Sequence, residues 1–221
     1  MFVFVLRRLL QAVIVMVVVA FVAFLLFQYV GDPVVFLLGQ DAKPEQIRQL
    51  RADLGFDRPF FVQFWHFLVN AAQGEFGLSR RQGAKVSRLI AERLPATLEL
   101  SLVAAVLALV VGLPMGVYAA LRRGTFGSQA LMALSLLGVS LPTFLIGILL
   151  ILIFSVWLGW LPSFGRGDVV KFGWWTSGLF TRDGWSHMIL PAITLAVFQL
   201  TLIMRLVRAE MLEVLRTDYI K

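Results

Sequence analysis

Met188-Ile189-Leu190-Pro191-Ala192-Ile193-Thr194-Leu195-Ala196-Val197-Phe198-Gln199-Leu200-Thr201-Leu202-Ile203-Met204 is an apolar run that, as a helix, crosses most of a bilayer. No turn signal ends it. It passes straight into Arg205, Arg208, Glu210, Glu213, Arg216 and then Asp218-Tyr219-Ile220-Lys221. A membrane helix that continues as a charged helix can pass movement between lipid and something in the water. The stretch Ser186 to Lys221 therefore decides the fold: an all-α membrane protein, a polytopic helical bundle whose last span runs on into the aqueous phase.

Composition agrees. Of 221 residues, 59% are hydrophobic and 15% charged, too few polar groups to clothe a soluble domain of this length. The net charge is +7, but the basic residues are scattered in small clusters beside apolar runs. That pattern fits membrane orientation and contact with acidic headgroups, not nucleic acid. The chain has no cysteine, which excludes disulfides and thiolate metal sites. His66 and His187 lie far apart, each near the edge of an apolar segment, so neither metal nor cofactor is expected.

Working back from the last span, three more apolar runs appear. Leu9 to Val30 is apolar except for Gln11 and Gln28. It would rise about 33 Å against a hydrocarbon core of about 30 Å. It outlasts a signal-peptide core and has no small-residue cleavage site, so a retained first span is expected, with residues 1–30 forming a cytoplasmic N-terminus plus helix. Gly31-Asp32-Pro33 breaks it. Residues 31–97 are mixed and more polar, a periplasmic or interfacial segment. Within it Pro44 to Leu54 reads as a short helix capped by Gly55. The ring-rich Phe60–Val69 run either lies at the headgroup level or packs on other membrane helices.

Residues 98–221 form the membrane core, with spans near 98–120, 130–158 and 186–204. Gly112-Leu113-Pro114-Met115-Gly116 interrupts the first of these; the proline removes a donor and the glycines allow close helix approach. Arg122 and Arg123 end it without a compensating acid, the best positive-inside signal in the chain. The second carries Gly138-Val139-Ser140-Leu141-Pro142 near its middle. Residues 163–185 read as an outer loop with tryptophans at the interface. Arg166-Gly167-Asp168 within it reads as a chance tripeptide. Pro114, Pro142 and Pro191 are candidate bending points, though kinks that only shape packing are the commoner case.

Catalytic groups are not found. There is no phosphate-binding loop and no His-Glu-x-x-His. Gly138-Val139-Ser140-Leu141 lacks the final glycine of a membrane serine protease motif, and His187 sits at a membrane edge. An intramembrane peptidase is thus the weakest of three function classes, behind a transport permease and a pore-less scaffold or receptor subunit. Candidates for a translocation path are the polar groups Glu99, Ser140, Thr194, Gln199 and Thr201. Ser and Thr commonly bond back to their own helix. Glu99 is either a pathway residue or an interfacial salt-bridge partner of Arg93.

The order of short motifs resembles a family. They are Arg7-Arg8-Leu9-Leu10-Gln11, Gly31-Asp32-Pro33, Leu54-Gly55-Phe56-Asp57-Arg58-Pro59 and Gly74-Glu75-Phe76-Gly77-Leu78-Ser79, then Pro95-Ala96-Thr97-Leu98-Glu99-Leu100. Gly112 to Gly116, Ser140-Leu141-Pro142-Thr143-Phe144, His187-Met188-Ile189-Leu190-Pro191-Ala192 and Arg205 through Ile220 complete the series. Together they are similar to the dipeptide/oligopeptide permeases of binding-protein-dependent ATP-binding-cassette importers. The resemblance implies a multi-pass protein of the bacterial inner membrane, N-terminus cytoplasmic, that forms half of a translocation path. It implies as partners a second homologous permease, two cytoplasmic ATPases and an outside solute-binding protein, with ATP hydrolysis on the partners. It places coupling to the ATPase near Arg216, Asp218, Tyr219, Ile220 and Lys221. The family carries a coupling motif and two further helices after such a stretch, so the chain is expected to be either a fragment or an unusual truncation, and four spans alone are not expected to transport.

Overall fold

A computed structural model describes residues 1–29, 43–53, 55–79 and 82–215. The expected break at Gly31-Asp32-Pro33 and the coupling candidates Arg216, Asp218, Tyr219, Ile220 and Lys221 lie outside those residues. The chain divides into two compact units, Met1–Ile90 and Ala91–Lys221.

In the first unit, α1 (Phe2–Tyr29) starts ahead of the expected Leu9 because nothing in its sequence interrupts a helix. It contains neither Gly nor Pro, and in lipid its backbone groups have no partner except one another. Its apolar stretch Phe2–Leu26 is long enough to cross a membrane. Helix α2 (Pro44–Asp53) opens on a proline, whose missing N–H and fixed φ suit the first helical position. It closes as expected at Gly55, φ 71°. There the Phe56 N–H bonds Arg51 O at 2.9 Å and the Gly55 N–H bonds Ala52 O at 3.0 Å, the paired bonds of a left-handed glycine cap.

Helix α3 (Phe60–Ala72) ends the same way, with Glu75 N–H on Asn70 O at 2.8 Å and Gly74 at φ 81°. Of the two placements open for its aromatic run, the structure shows packing on a membrane helix. Phe21 and Phe24 of α1 meet Phe60, Phe64 and Phe67 with ring centroids 5.2 to 5.9 Å apart. The edge-on and tilted geometries are those the ring quadrupoles favour.

The second unit is built on small residues. Helix α4 (Val86–Leu121) begins at the end of the first unit and continues through both Pro95 and Pro114. It buries Ala104, Ala108, Gly112, Gly116 and Ala120, a stripe at intervals of four that lies on one helix face. Against it runs α7 (Arg182–Val214), with Ala196 buried between Ala104 and Ala108 and with Leu200 and Ile203 beside them. A Cβ on Gly116 would stand 2.8 Å from both Met204 O and Val207 Cβ. Backbone approach of this kind is how helices gain contact where lipid removes the hydrophobic drive.

Helix α5 (Phe126–Ser140) is capped by Thr125, whose hydroxyl accepts from the Ser128 N–H, and Ser128 Oγ donates to Ala119 O of α4 at 2.9 Å. The expected single span 130–158 is two helices. α5 gives way to α6 (Thr143–Leu150), which runs on as a wider π-helical segment, Ile151–Trp157. Their axes differ by 106°. The cause is local: Leu141 (ψ 132°) and Pro142 (ψ 137°) are both extended, and the residue before a proline is pushed out of the helical region by the ring. The expected loop 163–185 also holds structure. Strands β1 (Val170–Phe172) and β2 (Trp175–Ser177) pair antiparallel, Phe172 opposite Trp175. Gly173 at φ 61° opens the two-residue turn between them, the conformation such a turn requires.

Candidate functional site

The most elaborate polar arrangement in the second unit surrounds Glu99. Its side chain is only 4% exposed on α4, in a place where an unpaired carboxylate would be strongly unfavourable. The β-hairpin and the residues flanking it supply the partners. Trp175 Nε1 donates to Oε1 at 3.1 Å and the Gly178 N–H donates to Oε2 at 3.1 Å. Arg166 Nη2 lies 3.5 Å from Oε2. The expected pairing with Arg93 is replaced by Arg166.

Arg166 is held in turn. Nη1 donates to Thr176 Oγ1 at 2.6 Å and Nη2 donates to Thr176 O. The tripeptide read as chance is thus a structural unit. Gly167, at φ 68°, passes so close to α7 that a Cβ would stand 2.6 Å from Asp183 Oδ2 and 2.7 Å from His187 Nδ1. The Asp168 N–H then bonds Asp183 Oδ2 at 2.8 Å, and Asp168 O accepts from Thr181 Oγ1. Thr181 also caps α7 by accepting from the Gly184 N–H at 2.9 Å, and Asp183 sits in the first turn, where the helix dipole favours a negative charge. One loop therefore ties the start of α7 to the middle of α4 through a charge.

The other path candidates are not brought together into one site. Thr194 Oγ1 donates to Leu190 O at 2.8 Å and Thr201 Oγ1 to Val197 O at 2.9 Å, the back-bonding that hydroxyls in membrane helices commonly adopt. Both also mark close helix approaches. A Cβ on Gly147 of α6 would stand 3.3 Å from Thr194 Cγ2, and one on Gly138 of α5 would stand 2.7 Å from Thr201 Oγ1. Gln199 and Ser140 are exposed. Pro142 sits at the sharp break, whereas Pro114 and Pro191 lie inside continuous helices. His187 Nδ1 is engaged by Asp183 O at 2.9 Å and Ser186 Oγ at 3.3 Å, so the hydroxyl beside it is Ser186, not Ser140.

Helix α7 keeps its hydrogen-bonded course past Met204 through Arg205, Arg208, Glu210 and Glu213 to Val214. This is the continuous passage from apolar to charged helix that the sequence suggests. Reading the sequence missed Arg166, Trp175 and Gly178. The available signal was Gly173-Trp174 between Val170-Lys171-Phe172 and Trp175-Thr176-Ser177, a two-residue glycine turn between short β-prone runs.

Comparison with known proteins adds the following. Residues 112–221 match the family model of the binding-protein-dependent transport system inner membrane component, and residues 1–101 match the model of its N-terminal region. A putative peptide transport system permease protein of Brucella suis is 42% identical over 98% of this chain and 67% of its own length. One of Brucella abortus is likewise 42% identical over the same shares. The glutathione transport system permease protein GsiC of Escherichia coli is 35% identical over 99% of this chain and 66% of its own length. The chain thus spans about two thirds of the length of these relatives.

Proposed function

The chain belongs to the family of inner-membrane components of binding-protein-dependent transport systems, and on that premise we propose that it forms half of the translocation path of an ATP-binding-cassette importer. The solute class is a peptide or a similar small solute, as the names of the Brucella and Escherichia coli relatives suggest. A second homologous permease completes the path, a solute-binding protein delivers the solute from outside, and two cytoplasmic ATPases supply the energy. The N-terminus and the Arg122-Arg123 turn face the cytoplasm, in accord with the excess of positive charge there.

The observation that carries this reading is the length of α7. Its 33 residues rise about 50 Å, well beyond a hydrocarbon layer of about 30 Å. The charged end from Arg205 to Val214 therefore projects toward the ATPases, and Arg216, Asp218, Tyr219, Ile220 and Lys221 are the candidates for coupling to them. Closure of the ATPases on ATP pushes that end and tilts α7, and the motion reaches α4 through Gly116 and Gly112. Gln199 and Ser140, both exposed, face the solute path. Glu99, Thr194 and Thr201 hold the helices that frame it.

The test is deletion of residues 205–221 in the full-length protein expressed with its partners. Membrane insertion is expected to persist while the ATPase no longer co-purifies. Retention of the ATPase after that deletion overturns the coupling mechanism. An intact complex that contains no ATPase overturns the transport reading itself.

A further inference from the structure

A cavity of about 370 Å³ opens within Met1–Ile90, and its lining includes none of the residues assigned to transport above. Phe24, Phe56 and Phe67 line its apolar side, and Arg58, His66 and Glu75 its polar side. Phe24 lies five residues before the end of α1 (Phe2–Tyr29). With Arg58 and Glu75, both exposed, in the same lining, the cavity belongs to the polar end of that span, toward the headgroup layer. Its polar side is built, not incidental. Gln63 Nε2 donates to Phe56 O at 2.9 Å and to Arg58 O at 2.7 Å, which pins the turn carrying Arg58 onto α3. Arg58 Nη1 lies 2.9 Å from His66 Nε2. A guanidinium has no acceptor, so it donates, and the histidine ring fixes its orientation. Gly74, in the left-handed conformation, turns the chain so that Glu75 comes to the same cavity.

Among the described lining residues, one cation, one anion and an aromatic floor at the polar end of a span match one ligand chemistry: a phosphate and an ammonium joined to an apolar chain. We propose that the cavity binds the headgroup of a zwitterionic amine phospholipid. The phosphate takes the Arg58 guanidinium, a pairing its planar donors favour. The ammonium takes the Glu75 carboxylate, and the first carbons of the chains lie along Phe24 and Phe67. An acidic headgroup without an amine would meet Glu75 unpaired and bind less well.

Native mass spectrometry of the full chain in detergent tests this, with phosphatidylethanolamine and phosphatidylglycerol offered together and phosphoethanolamine, the headgroup without chains, offered alone. The wild type is expected to retain phosphatidylethanolamine in preference to phosphatidylglycerol and to show no binding of phosphoethanolamine at the same concentration. Arg58→Gln is expected to lower phosphatidylethanolamine occupancy about fivefold, the range for one charge-assisted contact near water. Glu75→Gln is expected to erase the preference between the two lipids. That preference is a ratio read within one sample, so partial unfolding does not imitate its loss. The proposal is overturned if Glu75→Gln keeps the wild-type ratio, if phosphatidylglycerol is preferred from the start, or if phosphoethanolamine binds as well as the lipid, which would mark a small-solute site instead.

Discussion

The two compact units solve the same problem with opposite materials. In Met1–Ile90 the contact between α1 and α3 is made by large rings, Phe21 and Phe24 on one helix against Phe60, Phe64 and Phe67 on the other. In Ala91–Lys221 the contacts are made by what is missing: Gly112, Gly116 and Gly138 let backbones and methyl groups touch. None of the most apolar window of α1 is buried within the chain, against 22% for α4 and 28% for α7. Rings can add or lose one contact among several, whereas a backbone approach is lost whole. The second unit should therefore be the brittle one.

Glu99→Ala should give the largest effect. It strands the Trp175 N–H, the Gly178 N–H and Arg166 together, and we expect a loss of about 3 kcal/mol, the low end for a broken buried pair because Arg166 retains partial access to water. Thermal unfolding in detergent measures it, and limited proteolysis should show residues 163–181 cut first. Gly116→Ala comes next, at about 2 kcal/mol for overpacking against backbone, read from the same melting curves. Phe24→Leu should cost about 1 kcal/mol, the worth of its aromatic edge contacts. Gly74→Ala should cost about 1 kcal/mol, for a side chain forced to positive φ. Should either first-unit variant melt lower than both second-unit variants, the contrast between rings and glycines is broken. Equal effects of Gly116→Ala and Phe24→Leu would narrow it to Glu99 alone.

Three of the four expected spans are helices long and apolar enough to cross a membrane, legible because length and apolar continuity are properties of a single stretch. The run from Met204 into the charged helix was readable for the same reason. What lay beyond reach was direction. Leu141 and Pro142 interrupt hydropathy very little, yet two consecutive extended residues turn the axis through 106°. Pro114, in a similar glycine-flanked setting, leaves α4 continuous. A proline thus marks where a helix is permitted to break, and the break comes where the residue before it leaves the helical region, as Leu141 does and Leu113 does not.

The partner of Glu99 was illegible for a different reason. Arg93 is near in sequence, but six residues turn a helix by about 240°, onto another face. The true partners come from a hairpin whose strands have three residues each, too short to announce themselves by alternation. Glycines, by contrast, told more than their helix propensity suggests. Gly55 was readable as a cap, and Gly112 and Gly116 as contact points, because only a missing Cβ suits either place.

The bonds of Glu99 to Trp175 and Gly178 join positions 76 and 79 residues apart. A ribosome adding about 5–20 residues each second leaves that carboxylate waiting on the order of 4–16 seconds before its donors exist. During this interval the carboxylate has neither of these two donors. The order of synthesis therefore matters at Glu99: the chain cannot close around it until Gly178, four residues ahead of α7, has been made.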